Sequence, residues 1–515
     1  MGTASFDAIV VGGGHNGLVC AGYLAKGGLK VLVLERREVL GGACATEELF
    51  PGYRFSTCSY YCYLLQRKVI EDLALREHGF HVYQVNPLSY LYSDRRALLV
   101  WDEIERTQAA IGQFSTHDAK AYPEWAAYWK RAAGLVHPYW LTLPPTLEEL
   151  RAKVRGTADE GLLEELLTTN VKAVVTKFFE HEAIRGAFVQ AQDVGDPAAE
   201  GSAWSLTFNA CRVLSRREDV GIVRGGMGGI TQAMAAAARS YGATIQTGMP
   251  VERVLVAEGR AIGVRLMDGT EIRSQMVVSN ADPKRTFLNL IGPQHLPAEF
   301  VRNVEGLKAN SASLKFHAAL NRLPDFSRHF EGDYDARLLA ATKICPSIEY
   351  FKQSWDDAAH GRPARNPVMS VQIPSAYDPT MAPAGRHVMS IWLQYAPVRL
   401  AEGTWEERRE EVGEQVIDVL AQYAPDIREC IANWVLFTPA DMEHRVGLPG
   451  GNIRHIDHIP SQYLAQRPLP GWAQYRTPVK DLYLCGASTH PGGDVTGAPG
   501  HNAAHVILAN YPSQH

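Results

Sequence analysis

The sequence is poor in cysteine, has no long apolar run and carries no block of basic charge. Eight cysteines in 515 residues (Cys20, Cys44, Cys58, Cys62, Cys211, Cys345, Cys430 and Cys485) are too sparse for a disulfide scaffold. No two form a CxxC pair, which excludes a zinc ribbon and a thioredoxin-like motif. No stretch of about 18 uninterrupted apolar residues occurs, so no spanning helix is expected. Lysine and arginine number 51 against 56 acidic residues, a formal net charge of −5, which argues against nucleic acid as the main partner. The first apolar run starts at residue 6 and leaves no room for a charged leader, so a soluble, cytoplasmic protein is expected. At 46% hydrophobic and 21% charged the chain has ordinary globular values, and its length suits two or three domains.

Glycine is in excess, 45 residues against a usual share of about 7%. The first of them are telling. Residues 6–11 (FDAIVV) form a short apolar run that ends in Gly12-Gly13-Gly14-His15-Asn16-Gly17; Leu18–Ala25 reads as a helix and Lys30–Leu34 as a second strand. Gly12, Gly14 and Gly17 match G-x-G-x-x-G between a strand and a helix. Gly12 allows the tight turn, Gly14 lets backbone approach a pyrophosphate, and Gly17 lets helix and strand pack closely. The helix N-terminus offers free N–H groups and positive partial charge to the phosphates. Glu35 follows Gly17 by 18 positions at the end of the second strand. A carboxylate there accepts hydrogen bonds from a ribose 2′-hydroxyl and repels a 2′-phosphate.

Further on, 251–256 and 261–267 read as strands around a turn at Glu258-Gly259, and Asp268-Gly269 signals a hairpin into a third strand. Val277-Val278 leads into Ser279-Asn280-Ala281-Asp282-Pro283. Residues 481–485 form a last strand, followed by a glycine-rich loop and a helix from about Pro499 to Asn510. Residues 105–220 read as largely helical, with Thr146 and Glu149 as a capping box and an apolar stripe over 162–179. Residues 311–445 mix strand (387–395) with helix (405–423). The expected fold is therefore α/β: a discontinuous Rossmann-like domain in three parts (1–105, 221–310, 466–515), with a mainly helical region (106–220) and a mixed α+β substrate domain (311–465) inserted.

Five segments carry a family resemblance over nearly the full length: DAIVVGGGHNGL (7–18), LERREVLGGACATEE (34–48), GGMGGITQAM (225–234), GLPGGNIRH (447–455) and LYLCGASTHPGGDVTGAPGHNAAH (482–505). They resemble the CrtI-type flavoenzymes, which include phytoene desaturases, carotenoid isomerases and retinol saturase. Within that group the likeness is to a branch named after pyridine-nucleotide-disulfide oxidoreductases. The name misleads, because Cys44 has no partner before Cys58, and Gly225–Gly229 has Thr231 where the last glycine of a second fingerprint should fall. That segment reads instead as a helix entry packed near the flavin, and the substrate meets the flavin directly.

The resemblance implies FAD in a domain of the glutathione-reductase/amine-oxidase type. It assigns FAD contacts to Gly12, Gly14, His15, Asn16, Gly17, Glu35, Arg36, Gly41, Gly42, Ala43, Val251, Asn280, Gly486, Asp494, Val495 and Gly497. Asp494 stands where many relatives carry glycine; it either binds ribityl hydroxyls or reaches the substrate. The implied chemistry is hydride removal from a C–H bond of an apolar or conjugated small molecule, as desaturase, dehydrogenase or isomerase, with oxygen or a quinone as electron acceptor. Peripheral membrane contact is allowed, through the 162–179 stripe, although its mixed charges fit a domain core better. Alternatives are an amine oxidase acting on a C–N bond and a low-turnover FAD-holding interaction protein.

His455 and His490 are the candidate proton-handling residues. His455 with His458 alternatively forms a hydrogen-bonded surface pair, and further ligands for a metal are lacking, so no metal is expected. Cys58 and Cys62 have i, i+4 spacing and would be close on a helix, otherwise being ordinary buried thiols. Tyr60, Tyr61 and Tyr63 line a pocket or pack in the core.

Overall fold

The computed structural model describes residues 6–189, 195–215, 217–330 and 334–511. Strand β1 (Phe6–Val11), helix α1 (His15–Lys26) and strand β2 (Val31–Leu34) form the expected βαβ unit. β1 and β2 pair in parallel, Ala8 against Val31 through Val11 against Leu34. Buried on both faces, such strands read as continuous apolar runs rather than as alternation. Strand β3 (Glu271–Ser279) flanks β1 on the other side, and β4 (Leu482–Leu484) lies beside β3, both parallel. Thr244–Gln246 extends the sheet beyond β2. The first half of β3 also joins an antiparallel meander with Val251–Ala257 and Arg260–Leu266. The α/β fold is thus assembled from the N-terminus, the middle and the C-terminus, as the motif positions require. Helices α2 (Gly228–Ser240) and α3 (Ala498–Leu508) pack on α1 and cover one face.

The second sheet has seven strands in the order 431–437, 312–320, 387–396, 368–372, 342–344, 88–91, 97–100, antiparallel except where 342–344 meets 88–91. The pair 88–100 comes from the stretch that sequence assigns to the first Rossmann part; in space it completes the second sheet. One face is apolar: Phe316, Val371, Ile391 and Leu393 pack under helix Trp405–Ala421 through Val412, Val416 and Leu420. The other face presents Ser313, Lys315, His317, Ser370, Gln372, Ser390 and Gln394, all buried. Burying so many polar groups is costly unless partners or a ligand satisfy them.

The intervening block is helical as expected, and the Thr146–Glu149 capping box is formed. The apolar stripe belongs to two helices, Asp159–Thr168 and Val171–Phe178, the second capped by the Asn170 side chain. Leu162, Leu163, Leu166, Val174 and Val175 face the interior, so the stripe is core rather than a lipid-facing surface. Among the described residues, no helix is long and apolar enough to cross a membrane.

Candidate active site

β1, β3 and β4 end at one edge of the first sheet, where open α/β sheets bind ligands. The chain leaves that edge in the turns starting at Gly12, Asn280 and Gly486. A Cβ on Gly17 would stand 2.2 Å from the Gly12 carbonyl oxygen, and one on Gly500 would stand 2.2 Å from that of Asn16. The N-terminal turns of α1 and α3 therefore rest backbone on backbone, and their positive ends converge. Asn280 Nδ2 donates to the Gly12 carbonyl at 3.3 Å. Gly41 N–H donates to the Gly13 carbonyl at 2.9 Å, and Gly42 lies against Gly14. Gly12, Gly14, His15, Gly42, Ala43, Asn280, Asp494 and Val495 keep partial exposure among buried neighbours. This is a backbone-lined cradle of the shape a dinucleotide needs.

The Glu35 carboxylate is buried and accepts from Gly13 N–H (2.8 Å) and Arg37 N–H (3.0 Å). A carboxylate has about four acceptor positions, so capacity remains for a ribose diol. Gly248 and Met249 N–H groups bond the carbonyls of Arg37 and Glu35, which brings the strand start at Val251 to the same end. Arg36 points elsewhere: its guanidinium donates to the carbonyls of His444 (2.7 Å) and Arg445 (3.0 Å) at the end of helix Pro439–Val446. It clamps the two bodies together.

The entry to α2 differs from that of α1. Met227 N–H donates to Ser56 Oγ and Gly228 N–H to Thr46 Oγ1, each at 2.9 Å. These donors are spent on the hairpin of Thr46–Phe50 and Tyr53–Ser56, so GGMGG is a buttress for the 41–44 turn, as its missing last glycine implies.

Asp494 has a positive φ of 56°, in the region that favours glycine. Its carboxylate accepts from Arg454 Nη2 at 2.8 Å and from Tyr63 OH at 3.3 Å. Arg454 also bonds Asn209 Oδ1 (3.0 Å) and lies over the Phe208 ring at 4.4 Å. Asp494→Ala leaves the Arg454 charge buried beside that gap, a loss of about 3–5 kcal/mol. We expect a lower thermal midpoint for Asp494→Ala, partly restored in the Asp494→Ala/Arg454→Met double variant; equal midpoints for wild type and the single variant would show the pair to be unimportant.

The histidines separate by environment. His15 faces the Asp494 backbone, and burial brings it down to about 4. His455 has a positive φ of 66° and a half-buried ring next to Gly486; burial and then Arg467, Arg285 and His15 push it down to about 3. His458 is fully buried, with Nε2 3.3 Å from the Pro491 carbonyl, so the two are not a surface pair. His490 is buried, held near 4 by burial, with Nε2 on the Tyr139 carbonyl at 2.8 Å. That hydrogen bond occupies its one N–H in the neutral ring.

Cys58 and Cys62 lie in an irregular segment, so the helical spacing does not apply. Burial raises Cys44 to about 12 and Cys58 to about 11, and Cys44 Sγ faces the Met227 carbonyl at 3.3 Å. Such thiols are poor nucleophiles at neutral pH. Cys44→Ser should keep at least half the wild-type turnover; its abolition, with FAD retained, would restore a thiol mechanism.

One residue escapes a reading of the sequence. Lys315 is buried at the centre of the polar sheet face, its Nζ without a hydrogen-bond partner among the described residues and 4.8 Å from the centroid of the Tyr60 ring. Burial pulls it down to about 7, partly offset by Cys58. Beside it, His317 bonds Ser390 Oγ at 2.6 Å through Nδ1. The available signal was a lysine inside ASLKFHAAL, a run too apolar to offer it solvent. Next to Tyr60 is a narrow crevice lined by Phe55, Tyr60, Met227, Gln372, Val388 and Ser390, among others.

A family model for flavin-containing amine oxidoreductases matches residues 159–508, and one for NAD(P)-binding Rossmann-like domains matches 10–72. The chain belongs to the flavin-containing amine oxidoreductase family. Pyridine nucleotide-disulfide oxidoreductase domain-containing protein 2 of Rattus norvegicus is 36% identical over 541 residues, covering 98% of this chain and 93% of the relative. A component of the limonene dehydrogenase of Castellaniella defragrans is 27% identical over 527 residues, covering 97% and 94%. Phytoene desaturases match more distantly. A solved putrescine oxidase variant shares the fold with a TM-score of 0.63 at 15% identity over 98% of both chains. The chain is therefore an FAD-dependent oxidoreductase of the amine oxidase/desaturase superfamily, and the cradle fits that cofactor: two helix N-termini, a buried carboxylate with acceptor capacity to spare, and glycines where any added side chain would collide.

Proposed function

We propose that the protein dehydrogenates an apolar or conjugated small molecule at a C–H bond, with oxygen or a quinone as the final electron acceptor. FAD, when bound, supplies the hydride acceptor. The residues assigned to hold it are those of the glycine turns together with Glu35, Asn280 and the 486–497 loop, and the protein's part is positioning and electrostatics. The observation that supports this reading is Lys315, buried on the polar sheet face beside the Tyr60 ring and a mainly apolar crevice. The walls are mainly apolar, and the buried cation beside them repels a substrate ammonium while suiting a neutral molecule. A lysine near neutrality also exchanges a proton at working pH, which the hydrogen-bonded His490 does less readily. The relative named for limonene dehydrogenation supports a C–H substrate.

The second reading, amine oxidation at a C–N bond, draws on the family description itself. Anaerobic mixing separates them. Under the proposal, alicyclic or conjugated C–H substrates bleach the yellow flavin band and primary amines leave it unchanged. Bleaching by amines alone would overturn it. A flavin that no substrate class reduces would favour the low-turnover interaction protein.

A further inference from the structure

The C-terminal helix α3 carries a feature that the cofactor does not use. His501 and His505 stand one turn apart on it, their ring centroids 4.0 Å apart and tilted by 31°, with the Tyr23 ring of α1 at 5.1 and 5.2 Å from them. Hydrogen bonds fix both tautomers. His505 Nδ1 lies 2.8 Å from the His501 carbonyl oxygen, which only accepts, so Nδ1 carries the proton. His501 Nδ1 lies 2.7 Å from Asn502 Oδ1. The Asn502 amide is oriented by its Nδ2, which donates to the Trp140 carbonyl (2.9 Å) and to Tyr475 OH (2.8 Å), so Oδ1 accepts and His501 Nδ1 donates. In each neutral ring Nε2 is then a bare lone pair. Burial brings His501 down to about 4, which keeps its ring neutral. The charges acting on it include Lys68 and Asp72, which pair with each other at 2.9 Å, so their field on an incoming cation largely cancels. His501 is 3% exposed and its Nε2 has no hydrogen-bond partner among the described residues, whereas His505 is exposed.

Two imidazoles at i, i+4, each with its Nδ1–H held by a carbonyl-type oxygen, form the arrangement with which a helix ligates a transition metal through Nε2. A second group of metal-ligating type, His117, Asp118 and Glu180, is closed by contrast: the Asp118 carboxylate already takes the N–H groups of Glu180 (2.9 Å) and His181 (3.0 Å). We propose that His501 and His505 bind one divalent transition cation of the copper or zinc class through their two Nε2 atoms, with water filling the remaining positions. Imidazole suits these ions, while magnesium and calcium prefer oxygen. A turn of the exposed His505 ring about its own torsions opens the buried Nε2 and brings both lone pairs onto one ion. All eight cysteines are buried and offer no competing thiolate. An ion held across one turn braces α3, whose N-terminus lies in the cradle, and the site itself needs neither flavin nor substrate.

The test uses the untagged, chelator-washed protein at neutral pH, titrated with copper(II), zinc(II) or magnesium(II). Copper is read by electron paramagnetic resonance, where nitrogen ligands split the signal, and zinc by calorimetry. We expect one copper per chain with nitrogen coupling, displacement of it by zinc, and no effect of magnesium. Loss of an outer-shell partner of a metal ligand already costs about 10–100-fold in affinity, so His501→Gln and His505→Gln should each weaken copper binding by roughly tenfold or more. His505→Gln changes an exposed ring and leaves His501 in place; its metal-free melting midpoint should match the wild type, which shows that the loss is not one of folding. Copper should raise the wild-type midpoint and leave that of the double variant unchanged, because an ion bound to the folded state alone stabilises it. Absence of a nitrogen-coupled copper signal would overturn the inference. So would equal binding by the wild type and the double variant, which would mark adventitious surface coordination.

Discussion

Glu35→Ala is expected to raise the dissociation constant for FAD about 100-fold, leaving the purified variant nearly colourless. The buried carboxylate does two things at once. It fixes the glycine turn through Gly13 N–H and the following turn through Arg37 N–H, and it leaves acceptor positions for the ribose hydroxyls. Hydrogen bonds to a charged group contribute about 1.5–3 kcal/mol each, so losing one or two of them gives roughly the stated factor. Glu35→Gln retains the shape but presents an amide where two backbone N–H groups need acceptors, and it should fall between the two. Release of flavin by heat, followed by titration back, measures both variants. Wild-type occupancy in Glu35→Ala would show that the 12–17 turn does not hold the adenosine half.

This site was legible because its chemistry is local. Gly12, Gly14, Gly17 and Glu35 lie within one βαβ unit, so the spacing in sequence is the spacing in space. The same holds for Gly486–Gly497, which precedes its own helix. Lys315, Gln372 and Tyr60 come together only through strand pairing: Lys315 is registered against Trp392, which lies edge-on to Tyr60 at 5.1 Å, and Gln372 is registered against Ser390. Nothing in the local pattern announces such a constellation, because register between distant strands is set by tertiary packing. Arg36 shows the converse. Its position beside Glu35 suggests a cofactor contact, yet a long side chain follows the best available acceptors, here two carbonyls more than 400 residues away in sequence. The mistaken grouping of 88–100 with the Rossmann part has the same cause, since its hairpin chooses its sheet by edge pairing with 342–344.

Lys315→Met should make the protein more stable and much less active. The lysine falls from an ordinary 10.5 to about 7 because burial disfavours the ammonium. The unfolded chain then binds more protons than the folded one between about 7 and 10.5, so stability rises with pH across that window and the burden is greatest below 7. The full difference corresponds to roughly 5 kcal/mol, and methionine, similar in length and apolar, removes it. Melting midpoints measured from about pH 6 to 10 should climb for the wild type and stay flatter for Lys315→Met, the curves converging at high pH. Turnover should fall by about 10²-fold or more while FAD remains bound, consistent with loss of a positioned proton-exchanging group. The wild-type rate should also depend on an ionisation near pH 7 that the variant lacks. Unchanged turnover with an unchanged pH profile would remove Lys315 from the chemistry and leave it a purely structural burden.

Three glycine-bearing segments distant in sequence converge on one flavin cradle. The visible spectrum of the purified protein, followed by release and identification of any bound cofactor, tests it most directly. We expect a yellow protein that yields FAD in near-equimolar amount. A colourless protein that also fails to take up added FAD would contradict the account and make the converging helix ends a structural feature alone.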